Sequence, residues 1–187
     1  PRAPTCQNFT TGKIYNEYTM KRLIILRGNS GSGKTTVAKS LQKRLGRHTI
    51  LISQDVVRRE VLRVRETEEH PVMELIQQMA EFGWQHGWET VIIEGILHKN
   101  KYKKGLETLI HQADVAYVYY FDISFNETVR RHTTKPVADD YGETEMREWW
   151  QEQDYLHVTG EQTIDEHISA QATVDMLARE IENEYNN

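Results

Sequence analysis

At 187 residues and 21.9 kDa, with a formal charge of −5 and a mean hydropathy of −0.68, the chain can bury one core and is too polar for a membrane protein. No stretch approaches the roughly 20 apolar residues a membrane span needs, and the acidic balance argues against a generic nucleic-acid coat protein. The lone Cys6 cannot close an internal disulfide, which fits a reducing, cytoplasmic setting and makes the sequons at Asn8 and Asn126 chance matches.

Charge is spread unevenly. Met20 to Gln54 holds eight Lys or Arg and no acid, whereas Gly160 to Asn187 holds seven acids and only Arg179. The first of these regions is suited to anions.

Residues 1–19 show no sustained period and stand before Met20, so they read as a leader, disordered or vector-derived, ahead of a single domain over 20–187. "RLIILR" from Arg22 reads as a buried strand. Lys34 to Leu45 reads as a helix with Val37, Leu41 and Leu45 on one face, and Gly46 as its stop. Thr49 to Ser53 is a second strand, and "VVRREVLR" from Val56 begins another helix. Pro71 suits a first helical turn, followed by a stripe of Val72, Leu75, Ile76, Met79 and Ala80 that ends near Gly83 and Gly87.

Thr90 to Gly95 is a third strand, Lys101 to Gln112 a helix, and Val115 to Phe121 a fourth strand. Ser124 and Glu127 spell a capping box that opens a short helix through Arg131. Residues 133–142 read as a polar loop and Glu143 to Gln153 as a helix. A weak strand near Gln162 to Ile164 precedes a last helix with Val174, Leu177, Ala178 and Ile181 on one face. Apolar strands alternating with amphipathic helices predict an α/β three-layer sandwich on a parallel sheet of about five strands. Its ligand crevice belongs at the carboxyl ends of the strands.

Behind the first strand comes "GNSGSGKTT". Gly28, Gly33, Lys34 and Thr35 satisfy G-x-x-x-x-G-K-[ST] between a strand and a helix, the context this pattern requires. Gly28, Gly31 and Gly33 let the backbone curl, so that N–H groups of Gly28 through Thr36, with Asn29, Ser30 and Ser32 between, can surround phosphates. The following helix N-terminus adds partial positive charge. Lys34 can reach the β- and γ-phosphates, and the Thr35 hydroxyl can bind Mg²⁺. This is a Walker A motif, and from Lys21 to about Arg179 the chain resembles the P-loop NTPases, which implies ATP or GTP with Mg²⁺. No guanine-selecting N-K-x-D run is present, so ATP is the expected nucleotide.

Strand two runs into "SQDVVRREVLR". Asp55, just past a strand tip beside the cradle, can take a proton from an acceptor hydroxyl, with Arg58 on the same side of the helix; Asp55 also stands where an N-cap belongs. The D-x-x-R run resembles the phage polynucleotide 5′-hydroxyl kinases, and a similar Asp follows strand two in zeta toxins and chloramphenicol phosphotransferases. That resemblance implies a small P-loop kinase in which Asp55 is the base and Arg58 lies on the acceptor side. "NETVRRHTTKP" is similar to the lid of adenylate-kinase-like and polynucleotide-kinase-like enzymes, placed here at about 130–150. Arg130 is the leading cation for the transferring group, Arg131 the second and Lys135 the reserve; a solvated helix end is the plain alternative. Glu94 closes strand three, where an acid can order a Mg²⁺-bound water or the acceptor, and Asp122 at the tip of strand four reads as a turn residue.

Other features carry less. His98, His132 and His157 have no partner at H-x-x-x-H spacing, so no metal beyond Mg²⁺ is expected. Of Trp149 and Trp150 one should pack inward while the other covers the lid base or the substrate. Arg58, Arg59, Arg63 and Arg65 could line an acceptor groove, although Glu66, Glu68 and Glu69 follow at once. The leading reading is an ATP- and Mg²⁺-dependent kinase acting on the hydroxyl of a small molecule or a nucleic-acid 5′ end. The rival is a nucleotide-binding switch or simple NTPase.

Overall fold

A computed structural model describes residues 20–66, 70–133 and 142–184. The leader with Cys6 and Asn8, Glu68 and Glu69, and the stretch containing Lys135 lie outside the described residues. Five strands, β1 (Arg22–Gly28), β2 (Thr49–Ser53), β3 (Thr90–Gly95), β4 (Val115–Asp122) and β5 (Glu161–Asp165), form an all-parallel sheet in the order β2-β3-β1-β4-β5. The expected α/β fold on five parallel strands is what the chain adopts.

Parallel strands joined by helical crossovers bury both faces, so both alternating sets of β1 are apolar. Leu23 and Ile25 join Ile76 and Leu106 in one core, under α3 (Val72–Gln85) and α4 (Lys99–Gln112). Ile24 and Leu26 join Val37, Leu41 and Leu177 in the other, under α1 (Lys34–Leu45) and α7 (Ala170–Glu184). Among the described residues no helix is long and apolar enough to cross a membrane.

Three local expectations need correction. The helix begun at "VVRREVLR" is short: α2 (Gln54–Val56) runs into a π turn (Val57–Val61), and Arg63 then takes φ 55, which ends it. Branched Val56, Val57 and Val61 crowd the helix around them, which weakens any longer run. The capping box is half formed at α5 (Phe125–His132). Ser124 Oγ accepts from Glu127 N–H, but the Glu127 carboxylate is taken by Arg130 and Arg131, and Glu166 accepts from Ser124 N–H at 3.0 Å instead.

The helix expected over Glu143 to Gln153 stops at Glu148, as α6 (Glu143–Glu148). The chain beyond is drawn onto the sheet. Gln151 N–H donates to Asn29 Oδ1 at 3.0 Å, the Asn29 amide donates back to Gln151 O at 2.8 Å, and fully buried Arg27 holds Asp154 Oδ2 at 2.9 Å. The Arg27 guanidinium also donates to Leu97 O, stands 3.5 Å from a Glu161 oxygen and lies over the Tyr120 ring. Burial pushes its pKa down, and the charges of Asp154 and Glu161 pull it back up.

Candidate active site

The strand register gathers the sequence-predicted residues at one end of the sheet. Glu94 lies beside Leu26 of β1 and Ser53 of β2, and Gly28 beside Phe121 of β4, so the tips of β1 to β4 form one rim. The turn from Gly28 to Gly33 sits on this rim and leads into α1. Gly28, at φ 144, lies so close to β4 that a Cβ would stand 2.8 Å from Phe121 O; at Gly31, φ 82, a Cβ would stand 2.6 Å from Thr128 O. A side chain cannot occupy either place, so glycine is required there by both conformation and contact. Gly33 supplies no side-chain cap and the first turn of α1 carries no acid, which leaves the helix end electropositive. Lys34 is buried and its Nζ donates to Asn29 O at 2.9 Å, across the loop it would share with phosphate.

Thr35 Oγ1 donates to Glu94 Oε2 at 2.9 Å. Glu94 is buried, and a buried carboxylate needs compensation beyond one hydroxyl. A hydroxyl and a carboxylate side by side next to a phosphate cradle are hard oxygen donors of the kind Mg²⁺ takes, so the pair fits that ion.

The two arginines near the end of α5 part company. Arg130 is 70% exposed, and its Nε and Nη2 donate to Glu127 at 2.6 and 2.7 Å. Arg131 is 25% exposed and reaches back to the cradle, donating to Ser32 O at 3.0 Å and to Glu166 O at 3.2 Å. Of the two, Arg131 is the one in contact with the cradle. Hydrogen bonds from Arg130 and then Arg131 hold the Glu127 carboxyl down at about 2.

Asp55 follows directly on β2. Ser53 is the N-cap of α2 and Asp55 lies within its first turn, so capping is not its part. Its Oδ1 accepts from Arg58 at 2.9 Å and from Arg59 at 2.7 Å, and the side chain is exposed at the rim. Beyond Gly95, buried Gln54 donates to Tyr102 OH at 2.9 Å, which closes the floor between β2 and α4.

A family model described as an AAA domain matches residues 23–158. The chain belongs to the AAA-domain family. No curated protein matches it, but solved structures do. A candidate kinase from Chloroflexus aurantiacus superposes with a TM-score of 0.66 at 18% identity, covering 89% of this chain and 98% of that one. A gluconokinase from Sinorhizobium meliloti gives 0.63 at 16%, covering 91% and 98%. The Mycobacterium tuberculosis APS kinase, solved with AMPPNP and APS, gives 0.61 at 13%, covering 90% and 99%. Identities this low speak for the fold, which is that of the small P-loop kinases.

The rest of this AAA domain adds what the sequence concealed. A cavity of about 380 Å³ opens beside the cradle, bounded by Gly33 and Thr36, by Arg131, and by Ile164, Asp165 and Thr173 from β5 and α7. The strand carrying Ile164 and Asp165 was legible only as a weak signal, and nothing in its local pattern points to a ligand. Trp150 meets Phe125 edge-on at 5.1 Å and Trp149 lies at the surface, so the Trp pair braces α5 on one side only. His132 is buried and His157 takes φ 56; among the described residues no three His, Cys, Asp or Glu gather as a metal site.

Proposed function

We propose that the protein is an ATP- and Mg²⁺-dependent phosphotransferase that passes the γ-phosphoryl group to a hydroxyl of a small molecule or a nucleic-acid 5′ end. The observation that carries this is the meeting, on one rim, of a glycine-built cradle, the Thr35–Glu94 pair and an exposed carboxylate at Asp55. A binding module needs the cradle alone; transfer needs the rest. The likeness to a gluconokinase and an APS kinase supports the same reading.

In this proposal Gly28, Asn29, Ser30, Gly31, Ser32, Gly33, Lys34, Thr35 and Thr36 hold the phosphates, through main-chain N–H groups, the Lys34 ammonium and the Thr35 hydroxyl. Thr35, whose hydroxyl donates to Glu94, would hold Mg²⁺, which would supply charge neutralisation on the phosphate oxygens. The cavity bounded by Ile164 and Thr173 receives the adenine, its apolar wall covering the ring. Asp55 accepts the proton as the acceptor oxygen bonds to the γ-phosphorus and the bond to the β-phosphate oxygen breaks, leaving ADP. Arg58 steadies the Asp55 carboxylate from the acceptor side. Arg131, already at the cradle, places positive charge against the equatorial oxygens, with Arg130 behind it on Glu127.

The test is transfer of labelled γ-phosphoryl from ATP and Mg²⁺ to a 5′-hydroxyl oligonucleotide, beside a pool of nucleosides, sugars and aminoglycosides, with Asp55→Asn as control. Label on an acceptor that disappears in Asp55→Asn supports the proposal. Release of free phosphate with no labelled acceptor overturns it in favour of a simple NTPase or switch.

A further inference from the structure

Glu66 lies beyond the π turn, on the chain leading toward α3, and three basic side chains from three different segments close on its carboxylate. Lys101 Nζ, from the first turn of α4, donates to Oε1 at 3.1 Å; His70 Nε2, from the approach to α3, is 3.3 Å from the same oxygen; Arg58 Nε stands 3.1 Å from Oε2. Exposed ion pairs are weak because water competes and two long side chains must be ordered, and they seldom collect around one oxygen pair. Here two of the three basic groups are held independently of Glu66. The Arg58 side chain is 13% exposed and is fixed by Asp55, and the His70 side chain is 6% exposed, with Nε2 also 3.4 Å from Tyr102 OH, which Gln54 holds in turn.

The His70 ring has a second nitrogen, Nδ1, that is buried without a hydrogen-bond partner. A polar atom so placed costs free energy unless something pairs with it. Burial works to raise the Glu66 pKa, and the hydrogen bonds from His70 and Lys101 outweigh it, so this carboxyl stays ionised below its ordinary range. The site thus already binds an anion, and the anion is part of the chain.

Its position matters. Arg58 touches the Glu66 carboxylate with Nε and the Asp55 carboxylate with Nη2, at 3.1 and 2.9 Å. One guanidinium therefore separates Glu66 from the proposed base, a span of at most about 8 Å from oxygen to oxygen. If Glu66 swings away, Lys101 loses its carboxylate and Arg58 keeps only Asp55, which it shares with Arg59, leaving two uncompensated positive charges at the edge of the acceptor cleft.

We propose that Arg58, His70 and Lys101 form an anion subsite of the acceptor cleft, which Glu66 fills until the acceptor arrives, and that the acceptor is a small hydroxy compound bearing a phosphate or carboxylate group. The anion of the acceptor displaces Glu66, and the short span to Asp55 brings a hydroxyl a few bonds away to the base. This rests on the phosphotransferase reading for the identity of the acceptor, but not for the existence of the subsite.

Two measurements test it. In the first, the protein with ATP and Mg²⁺ is offered matched acceptors: glycerol against glycerate and glycerol 3-phosphate, glucose against gluconate and glucose 6-phosphate, a nucleoside against its 3′-monophosphate. At least one anionic member should exceed its neutral match in kcat/KM by about tenfold or more, the scale of one well-placed charge interaction. Lys101→Ala should raise KM for that member about tenfold and leave kcat within about twofold, while Glu66→Gln should lower KM by a few-fold. Neutral members used as well as their anionic matches, or a Glu66→Gln variant that raises KM, would overturn the subsite and leave the phosphotransferase intact.

The second needs no turnover. With the cradle filled by AMPPNP and Mg²⁺, inorganic phosphate is titrated by calorimetry into wild type, Glu66→Gln and Lys101→Gln. Tighter binding in Glu66→Gln by about tenfold and weaker binding in Lys101→Gln are expected. Equal binding in all three sinks the subsite, whatever the first measurement gives. Absence of any labelled acceptor together with the expected phosphate titration would instead sink the phosphotransferase and keep an anion site.

Discussion

The cradle offers main-chain groups fixed by glycine conformations and by the packing of α1, whereas the acceptor side offers side chains on a three-residue helix, a π turn and the start of α4. The contrast separates two kinds of recognition. Phosphates of a nucleotide are the same in every turnover, and a backbone site bound to the central strand can be rigid and sequence-economical. An acceptor must be told from its neighbours, and in the proposed reading that discrimination falls to Asp55, Arg58, Glu66, His70 and Lys101, which all lie outside the strands and can change without disturbing the sheet.

Mutations can break this division or sharpen it. The largest effect belongs to Gly31→Ala, whose new Cβ would meet Thr128 O at 2.6 Å with φ at 82. ATP binding measured by calorimetry should fall by at least about 10³-fold, since the loop cannot keep its shape. Asp55→Asn should lower kcat by about 10²- to 10³-fold, with ATP affinity within about twofold of wild type. A comparable loss of ATP affinity would show that the two sides are not separate. Arg131→Ala should then cost about tenfold to a hundredfold in kcat, while Arg130→Ala costs less than about threefold, because only the former touches the cradle. Equal losses in single-turnover assays would return the role to the exposed arginine.

The smallest effect concerns pH. The Glu127 carboxyl is held at about 2, below its ordinary 4.5, by Arg130 and Arg131. A depressed carboxylate adds stability that is complete above the ordinary value and is lost as pH falls through the folded one. The Tm difference between wild type and Glu127→Gln should therefore be flat from pH 7 to about 5 and shrink between pH 4.5 and 2. A difference that changes instead between pH 7 and 5 would place the titration elsewhere.

The nucleotide side was legible because its chemistry is written within nine consecutive residues, Gly28 to Thr36, in the one setting where the pattern has meaning. The strand order was not, since local periodicity says nothing of which strand lies beside which; β3 and β4 flank β1 through crossovers that only the packing fixes. Arg130 and Arg131 look alike in sequence, and only the turn of the helix shows that one points outward and the other at Ser32. In sequence Glu66 is only an acid that follows a basic run. Its partners stand 8 residues before it, 4 after it and 35 after it, so no window of the sequence shows the cluster. Ile164 and Thr173 escaped for the same reason, being apolar or neutral residues made relevant only by the cavity they bound.

The clamp at Arg27 also bears on how the molecule is made. Its counter-charge Asp154 lies 127 residues further along the chain, and Gln151, which Asn29 holds, lies 122 residues away. During synthesis β1 emerges well before Asp154, so the guanidinium at its tip has no carboxylate beside it until that later segment has followed. The surroundings of the central strand's tip and of the loop it carries are thus completed late, by the segment that returns from α6. A nascent chain that stops before Gln151 holds the entire Walker A sequence and lacks the carboxylate partners of Arg27, just ahead of it, and the Gln151 partner of Asn29, within it.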